Sequence, residues 1–283
     1  MIWSQTLMPV ILLTDNGSIQ PDATLQLRDL AAKLGLQTGH TIHPVSLQHA
    51  GRIPAESLNN LPAQVFTEFM KQQLIEGNKD FVLLPIFFGQ SRALTKYIPD
   101  EVASLKNQFG DFQINIADVI YPLPKGEDLL CEIIYEHITS TAKNENLALK
   151  NVVLVDHGSP IPQVTNVRKH LVESVQKKLS DSCHLEQAVM ERREGSEYDF
   201  NGDLLENWLT QKAQAGEKSA IVVLLFFLAG RHAGKDGDIV EICDKVMQEY
   251  PELKIAISPL ISAHPKFLSI LQSRLDDILK QDC

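Results

Sequence analysis

The sequence predicts an α/β protein of two similar lobes, each with a four-stranded parallel sheet flanked by helices. Apolar runs of strand length alternate with longer amphipathic stretches along the chain. The pattern occurs twice, because ILLTDNGS in the first half matches VVLVDHGS in the second at an offset of 156 − 15 = 141 residues. Successive β-α units joined by right-handed crossovers give parallel sheets covered on both faces. These observations together predict a doubled, two-lobed architecture rather than one large sheet.

The first half contains four predicted strands and four predicted helices. Each strand is a short apolar run, and each helix shows apolar positions near a period of 3.6 residues. The strands are expected at 8–14, 41–47, 81–88 and 112–120, and the helices at 23–34, 62–75, 94–108 and 127–140.

The second half repeats the order of the first. Strands are expected at 151–156, 184–190, 219–228 and 254–258, and helices at 164–180, 203–214, 238–249 and 265–280. A polar stretch near 141–149 lacks a strand pattern, so we predict lobes at 1–145 and 146–283 that face each other across a cleft. A continuous eight-stranded sheet or a barrel of eight β-α units also fits the count, but the duplication favours two lobes.

Composition narrows the class of partner. The net charge of −10 disfavours nucleic acid or an anionic membrane, because binders of phosphate groups usually carry a basic excess. No apolar run approaches the ~20 residues that span a bilayer, and the amino terminus MIWSQTLMPVILL does not resemble a signal peptide. The four cysteines form no CxxC pair, which argues against disulfides and structural zinc. We expect a cytoplasmic protein, and a monomer.

Three strand ends in the second half carry groups that bind metals. The strand in NVVLVDHGS ends at His157, the strand at 184–190 is followed by Glu191, and the apolar run LLFFLAGRHAG ends at His232. Loops at the carboxyl ends of parallel strands converge, so these side chains are expected to share one crevice. Two imidazoles and a carboxylate suit a divalent ion such as cobalt, iron, nickel or zinc. For each motif taken alone, a structural role is the alternative: His157 would be a histidine held by a local hydrogen bond in a turn, and Glu191 would lie in a solvated charged loop.

Other catalytic signatures are missing from the sequence. There is no P-loop, no GxGxxG opening a helix and no GxSxG elbow. The sequence therefore gives no support for chemistry driven by ATP or by a dinucleotide, or for serine hydrolysis.

The motifs DHGS, MERREG, LAGRHAGKDGD and PLISAHP, in this order, resemble those of the sirohydrochlorin cobaltochelatase and ferrochelatase family, the ATP-independent class II tetrapyrrole chelatases. The resemblance implies a two-lobed fold and insertion of cobalt or ferrous iron, with nickel as an alternative, into sirohydrochlorin on the route to cobalamin or sirohaem. It also implies that His157, Glu191 and His232 are both the metal ligands and the catalytic residues. One histidine would also accept a pyrrole proton, and the sequence leaves open which.

The implied substrate carries eight carboxylates, so cations are expected around the site despite the net negative charge. The candidate substrate-binding residues are Arg168, Arg192, Arg193, Arg231 and Lys235, with His264 as a further wall residue.

The first half departs from the family pattern. Asn16 stands at the position of His157, Ala50 falls opposite Glu191 at the offset of 141, and Ala93 is the best match to His232. We therefore expect one metal site per chain, with the first lobe as the opposite wall of the cleft. Two other functions stay open: a non-catalytic protein that binds tetrapyrrole or metal, and a metal-dependent hydrolase that uses the same trio.

Overall fold

The computed structural model describes residues 8–281, which divide by packing into two units. The first unit contains residues up to 120 and the stretch from 271 onward, and the second contains Tyr121–Ile270. Each unit has its own four-stranded sheet, and every strand pairing is parallel. The predicted fold class is thereby confirmed, and neither a continuous eight-stranded sheet nor a barrel is present in the described residues.

The sheet of the first unit has the strand order β2-β1-β3-β4. A π-helical turn at Ala93–Tyr97 runs directly into the third helix. The elements are β1 (Val10–Asp15), α1 (Pro21–Thr38), β2 (Ile42–Ser46), α2 (Phe66–Ile75), β3 (Asp80–Pro85), α3 (Ile98–Phe109) and β4 (Gln113–Ile116).

The sheet of the second unit repeats this topology in the order β6-β5-β7-β8. Its elements are α4 (Asp128–Asn144), β5 (Asn151–Asp156), α5 (Pro162–Gln176), β6 (His184–Val189), α6 (Leu205–Gln214), β7 (Ser219–Leu224), α7 (Asp238–Glu249) and β8 (Lys254–Ile257). The last helix, α8 (Lys266–Gln281), begins in this unit, and its residues from 271 onward belong to the first.

Two helices belong, wholly or in part, to a different unit from the strands that precede them in the chain. Helix α4 follows the strands of the first half but packs against α5, β7 and β8. Near the end of the chain, the Arg274 guanidinium donates hydrogen bonds to the carbonyls of Val119 and Ile120, at 3.0 and 3.2 Å. The sequence pattern predicts four helices in each half, but it contains no signal that α4 packs in the second unit and the end of the last helix in the first.

Buried apolar strands hold each sheet between its helices. Residues 152–155 of β5 are fully buried, as are residues 81–84 of β3. Continuous apolar runs of this kind are typical of parallel strands that are covered on both faces. Helices α1 and α5 both begin with a proline, whose missing N–H costs nothing in the first helical turn.

The strand order reverses between β1 and β3, and again between β5 and β7. Loops leave in opposite directions at such a switch point and open a crevice outside the carboxyl ends of the strands. The turns after β5 and β7 are those that carry His157 and His232, so the topology places both histidines at the switch point of the second sheet.

No helix within residues 8–281 is both long and apolar enough to cross a membrane. Cys131, Cys183 and Cys243 are buried free thiols. Cys283 and residues 1–7, which include most of the segment examined for a signal peptide, lie outside the described residues.

Candidate metal-binding site

The turn after β5 requires a glycine at position 158. Gly158 has φ +91°, and a Cβ built on it would lie 2.0 Å from the carbonyl oxygen of Glu191. The carboxylate of Asp156 accepts a hydrogen bond from the Gly158 N–H at 3.0 Å and so holds the turn. Because only a residue without Cβ permits this close approach, the glycine brings His157 and Glu191 side by side.

The three predicted metal ligands lie together. The Glu191 N–H donates to the His157 carbonyl at 3.2 Å, and His157 Nε2 is 3.1 Å from Glu191 Oε1. The rings of His157 and His232 meet edge to face with their centroids 4.5 Å apart. The convergence expected from the three strand ends is therefore present in the folded chain.

A carboxylate missed by the sequence analysis orients His232. Asp238, the first residue of α7, places Oδ2 2.5 Å from His232 Nδ1. A carboxylate at Nδ1 fixes the tautomer of the ring and leaves Nε2 with its lone pair available to a metal or a proton. Its signal in the sequence is an aspartate six residues after the histidine, at the start of a predicted helix.

Two members of the trio, His157 and Glu191, line an open pocket of about 320 Å³, whose lining consists of residues 157–160 and 191–193. The side chains of His157, Glu191 and His232 are 46%, 62% and 28% exposed. Within residues 8–281, no three His, Cys, Asp or Glu side chains are already arranged around a common metal position. The Nε2 atom of His157 instead contacts the carboxylate of Glu191, so a metal would have to separate these two groups.

Arg168 differs from its predicted role. It lies inside α5 rather than on a loop, and it is fully buried. Its guanidinium pairs with Asp156, donates to the Asn201 carbonyl, and donates to Gln187 Oε1 at 3.2 Å. All of these contacts are internal, so Arg168 supports the β5 turn and is not available to a substrate.

Opposing effects act on the pKa of the Asp156 carboxyl group. Burial raises its pKa, whereas the charge of Arg168 and the hydrogen bonds from Gly158 and Arg168 oppose that rise. Removing the guanidinium would leave a buried carboxylate beneath the turn that carries His157.

Asn201 is a second supporting residue that the sequence analysis did not identify. It is 1% exposed and joins Ser159 to the loop after β6, accepting from the Ser159 N–H at 3.0 Å and donating to the Ser159 carbonyl at 2.9 Å. Its side chain also accepts from Thr165 Oγ1 at 3.1 Å. The Asn-Gly pair at 201–202 signals a turn, but the sequence does not show which backbone the amide contacts.

Two of the predicted substrate-binding cations line the pocket. Arg192 is held by Asp199 at 3.0 Å, whereas Arg193 lies over the ring of Tyr198. Arg231 is exposed, with Nε 3.7 Å from Asp238. Lys235 borders a separate, mainly apolar pocket between α7 and β8.

His264 also differs from its predicted role as a wall residue of the site. Its Nε2 contacts Glu136 at 2.9 Å, and its Nδ1 accepts from the Lys266 N–H at 3.2 Å, so both ring nitrogens are engaged within the protein. Its ring packs on His137, whose pKa burial lowers to about 4. His264 therefore belongs to a structural cluster at the start of α8.

The strand register identifies the equivalent positions in the first unit. The backbone amides of Gln48 and Glu191 bond to the carbonyls of Asn16 and His157 respectively, in the same geometry. Gln48, and not Ala50, is therefore the counterpart of Glu191, because the offset between the units is 143 residues here and not 141. Pairing of β3 and β7 at an offset of 139 keeps Ala93 opposite His232.

Comparison with known proteins bears on the family and on the fold. The CbiX family model matches residues 151–278, a stretch that contains the trio and the whole second sheet. No curated protein matches the chain in sequence.

Three solved structures share the fold over nearly the whole chain. SirB from Bacillus subtilis with Fe3+ has a TM-score of 0.68 at 14% identity, covering 96% of both chains. The sirohydrochlorin chelatase SirB from Bacillus subtilis subspecies spizizenii, in complex with cobalt, has 0.66 at 13%, again covering 96% of both. CbiX, described as the terminal enzyme of sirohaem biosynthesis in denitrifying bacteria, has 0.58 at 11%, covering 95% of this chain and 98% of its own. At these identities the likeness establishes the two-unit fold.

Proposed function

We propose that this chain, whose residues 151–278 match the CbiX family model, is a metal chelatase that inserts a divalent ion into sirohydrochlorin. The observation that carries the proposal is the meeting of His157, Glu191 and His232 at three neighbouring strand ends of that stretch. We propose cobalt or ferrous iron as the metal substrate, since imidazole and carboxylate ligands accept both. SirB structures hold Fe3+ and cobalt, in line with this choice.

Insertion replaces two pyrrole protons by one metal ion, so the site must hold the ion weakly and accept protons. An exposed trio that is not closed around a metal position suits transient binding. We propose that His157 Nε2, Glu191 and His232 Nε2 contact the ion, and that the Glu191 carboxylate offsets its charge. The ion is a substrate that leaves with the macrocycle, so a tight resident site would slow turnover.

His232 is the better candidate for the proton acceptor. Asp238 accepts the hydrogen bond from Nδ1 at 2.5 Å and would stabilise the imidazolium formed when Nε2 takes a proton. His157 Nδ1 instead lies 3.1 Å from the carbonyl of Gly158, a neutral partner. The Nε2 atom of His157 already contacts Glu191, whereas the contact of His232 with Asp238 is made by Nδ1 and leaves Nε2 to accept the proton.

The carboxylates of the macrocycle would meet Arg193 and Arg231, whose guanidinium groups are exposed beside the trio. Arg193 has no carboxylate partner among the described residues, since its contacts are with Tyr198. Replacing Arg193 should raise the KM for sirohydrochlorin more than it lowers kcat. We further propose that the reaction needs no ATP and that the protein acts as a cytoplasmic monomer.

The test is anaerobic absorbance spectroscopy of sirohydrochlorin with cobalt or ferrous ion. The wild type should accelerate the spectral change above the rate without protein, and His157→Ala and His232→Ala should each lower kcat/KM by about 100-fold or more. His184→Ala is the matched control, because this exposed histidine stands at the opposite end of β6.

Two results would contradict the proposal. Binding of the macrocycle by wild type without any acceleration would show a non-catalytic binding protein. Full activity in both histidine variants would show that the chemistry lies elsewhere.

A further inference from the structure

The first unit has its own pocket at the position that corresponds to the metal site of the second. It measures about 360 Å³ and is lined by Asn16, Gln48, Arg92, Ala93, Lys96, Tyr97 and Asp100. Three of these residues occupy the register positions of the trio, since Asn16, Gln48 and Ala93 are the counterparts of His157, Glu191 and His232. The pocket is thus lined by the counterparts of the trio, none of which is a histidine or a carboxylate.

The replacements change the charge that the pocket prefers. A neutral amide stands where the carboxylate of Glu191 stands in the second unit, and both histidines are replaced by groups that bind divalent metals poorly. Arg92 and Lys96 add two cations at the rim. With two amides, two cations and the single carboxylate of Asp100, the lining carries a net positive charge, which favours an anion over a metal ion.

The cations are available to a ligand. Arg92 is exposed and forms no ion pair with any residue from 8 to 281. Lys96 lies 2.8 Å from Asp100, in a pair whose side chains are 74% and 61% exposed. Such exposed pairs contribute little to stability, so Lys96 can exchange Asp100 for an incoming anion.

The backbone around the pocket is fixed. Tyr97 donates its hydroxyl to the Leu47 carbonyl at 3.1 Å, which ties the π-helical turn to the loop after β2. Single π-helical turns are often found at functional sites. Here the turn carries Ala93, Lys96 and Tyr97 to the rim, whereas the second unit has an irregular turn around His232.

We propose that this pocket, formed by Asn16, Gln48, Arg92, Lys96 and Tyr97, binds a carboxylate group of the tetrapyrrole substrate. The proposal rests on the proposed function for the identity of the ligand. Carboxylate fits the site because the guanidinium of Arg92 can bond to both of its oxygens, and the amides of Asn16 and Gln48 can donate further hydrogen bonds.

The test measures binding of metal-free sirohydrochlorin to the full chain by absorbance titration without metal. Arg92→Gln and Lys96→Gln should each raise the Kd by roughly fivefold, as expected for a partly exposed charged contact. Asp100→Asn should lower the Kd, because it removes the carboxylate that competes for Lys96. Raised ionic strength should shrink all three differences.

Lys33→Gln is the matched control, because Lys33 also forms an exposed ion pair with an aspartate four residues away, on the surface of α1. It removes the same charge and should leave the Kd unchanged. Equal effects of Lys33→Gln and Lys96→Gln would overturn the proposal and indicate a general effect of net charge.

Citrate serves as a probe that distinguishes binding of a free carboxylate from binding of a carboxylate group of the macrocycle. If Arg92→Gln weakens direct binding of citrate, measured by titration calorimetry, but leaves macrocycle binding intact, the pocket binds free carboxylates and the proposal is wrong. Normal turnover with unaltered Kd in the Arg92 and Lys96 variants would overturn this inference alone. A wild type that neither binds nor metallates the macrocycle would overturn the proposed function and this inference together.

Discussion

The turns after β1 and β5 have the same backbone and different chemistry. Gly17 and Gly158 have φ +88° and +91°, and a Cβ at either would meet the carbonyl oxygen of the residue beyond the neighbouring strand, at 1.8 and 2.0 Å. Yet the turn after β1 presents Asn16 to Gln48, whereas that after β5 presents His157 to Glu191. The comparison shows that the two units share the same strand-end geometry, although only the second carries candidate metal ligands at these positions.

The support beneath the two turns also differs. Asp156 is paired with the buried Arg168, whereas the equivalent helix position in the first unit is Leu27, which is 1% exposed. Asp15 is left without a cation, its Oδ1 has no hydrogen-bond partner among residues 8–281, and burial raises its pKa. Only the unit with the candidate metal site keeps an ionic support under its turn.

The largest expected effect is on stability. It comes from replacing Arg168 with leucine, the residue at the equivalent position of the first unit. Arg168→Leu should lower the free energy of unfolding by about 3–5 kcal/mol, because it leaves the Asp156 carboxylate buried and unpaired. Chemical denaturation of the full chain measures the loss. The double variant Arg168→Leu with Asp156→Asn should recover part of it, and a single variant as stable as wild type would show that the ion pair contributes nothing.

The second largest expected effect comes from replacing the turn glycines, Gly17 and Gly158. Gly17→Ala and Gly158→Ala should each destabilise the protein by about 2 kcal/mol, because alanine is strained at positive φ and its Cβ meets a backbone oxygen. Only Gly158→Ala should also weaken binding of cobalt, measured by titration calorimetry, since it displaces Glu191 from His157. If both variants weakened cobalt binding equally, the metal site would not be confined to the second unit.

The smallest expected effect concerns Asp15. Since burial raises its folded pKa above the ordinary 3.8, its contribution to stability is full below that value and is lost as the pH rises through the folded pKa. Asp15→Asn should therefore stabilise the protein by about 1 kcal/mol at pH 7 and make no difference near pH 4. Thermal unfolding across this range provides the measurement. Asp156→Asn is the contrasting variant, which destabilises at pH 7 because it leaves the buried Arg168 guanidinium without its carboxylate partner. A stabilisation independent of pH would contradict the assignment to Asp15 ionisation.

Much of the fold follows from the sequence because its signals are local. Apolar runs such as 151–156 and amphipathic stretches such as 238–249 coincide with β5 and α7, since burial on one or both faces dictates the period of apolar residues. The trio was also predictable, because carboxyl ends of parallel strands meet at one edge whatever the sequence between them.

Other features depend on which distant groups come into contact. A constant offset of 141 placed Ala50 opposite Glu191, whereas the backbone pairing identifies Gln48, because loops of different length shift the register between units. Arg168 carries the positive charge expected of a substrate-binding residue, but its position on α5 directs the side chain inward to Asp156. Asp238 and Asn201 gave only turn and helix-start signals, since side-chain partners are set by packing.

The sequence by itself determined the doubled α/β architecture and the three strand ends that carry the candidate ligands, because periodicity and strand polarity are properties of local segments. Only the tertiary structure decided the contacts of α4 with the second sheet, the internal engagement of Arg168 and His264, and the presence of a pocket with two cations at its rim in the first unit. These depend on long-range packing, in which the free energy of burying one side chain is set by groups far away in the chain.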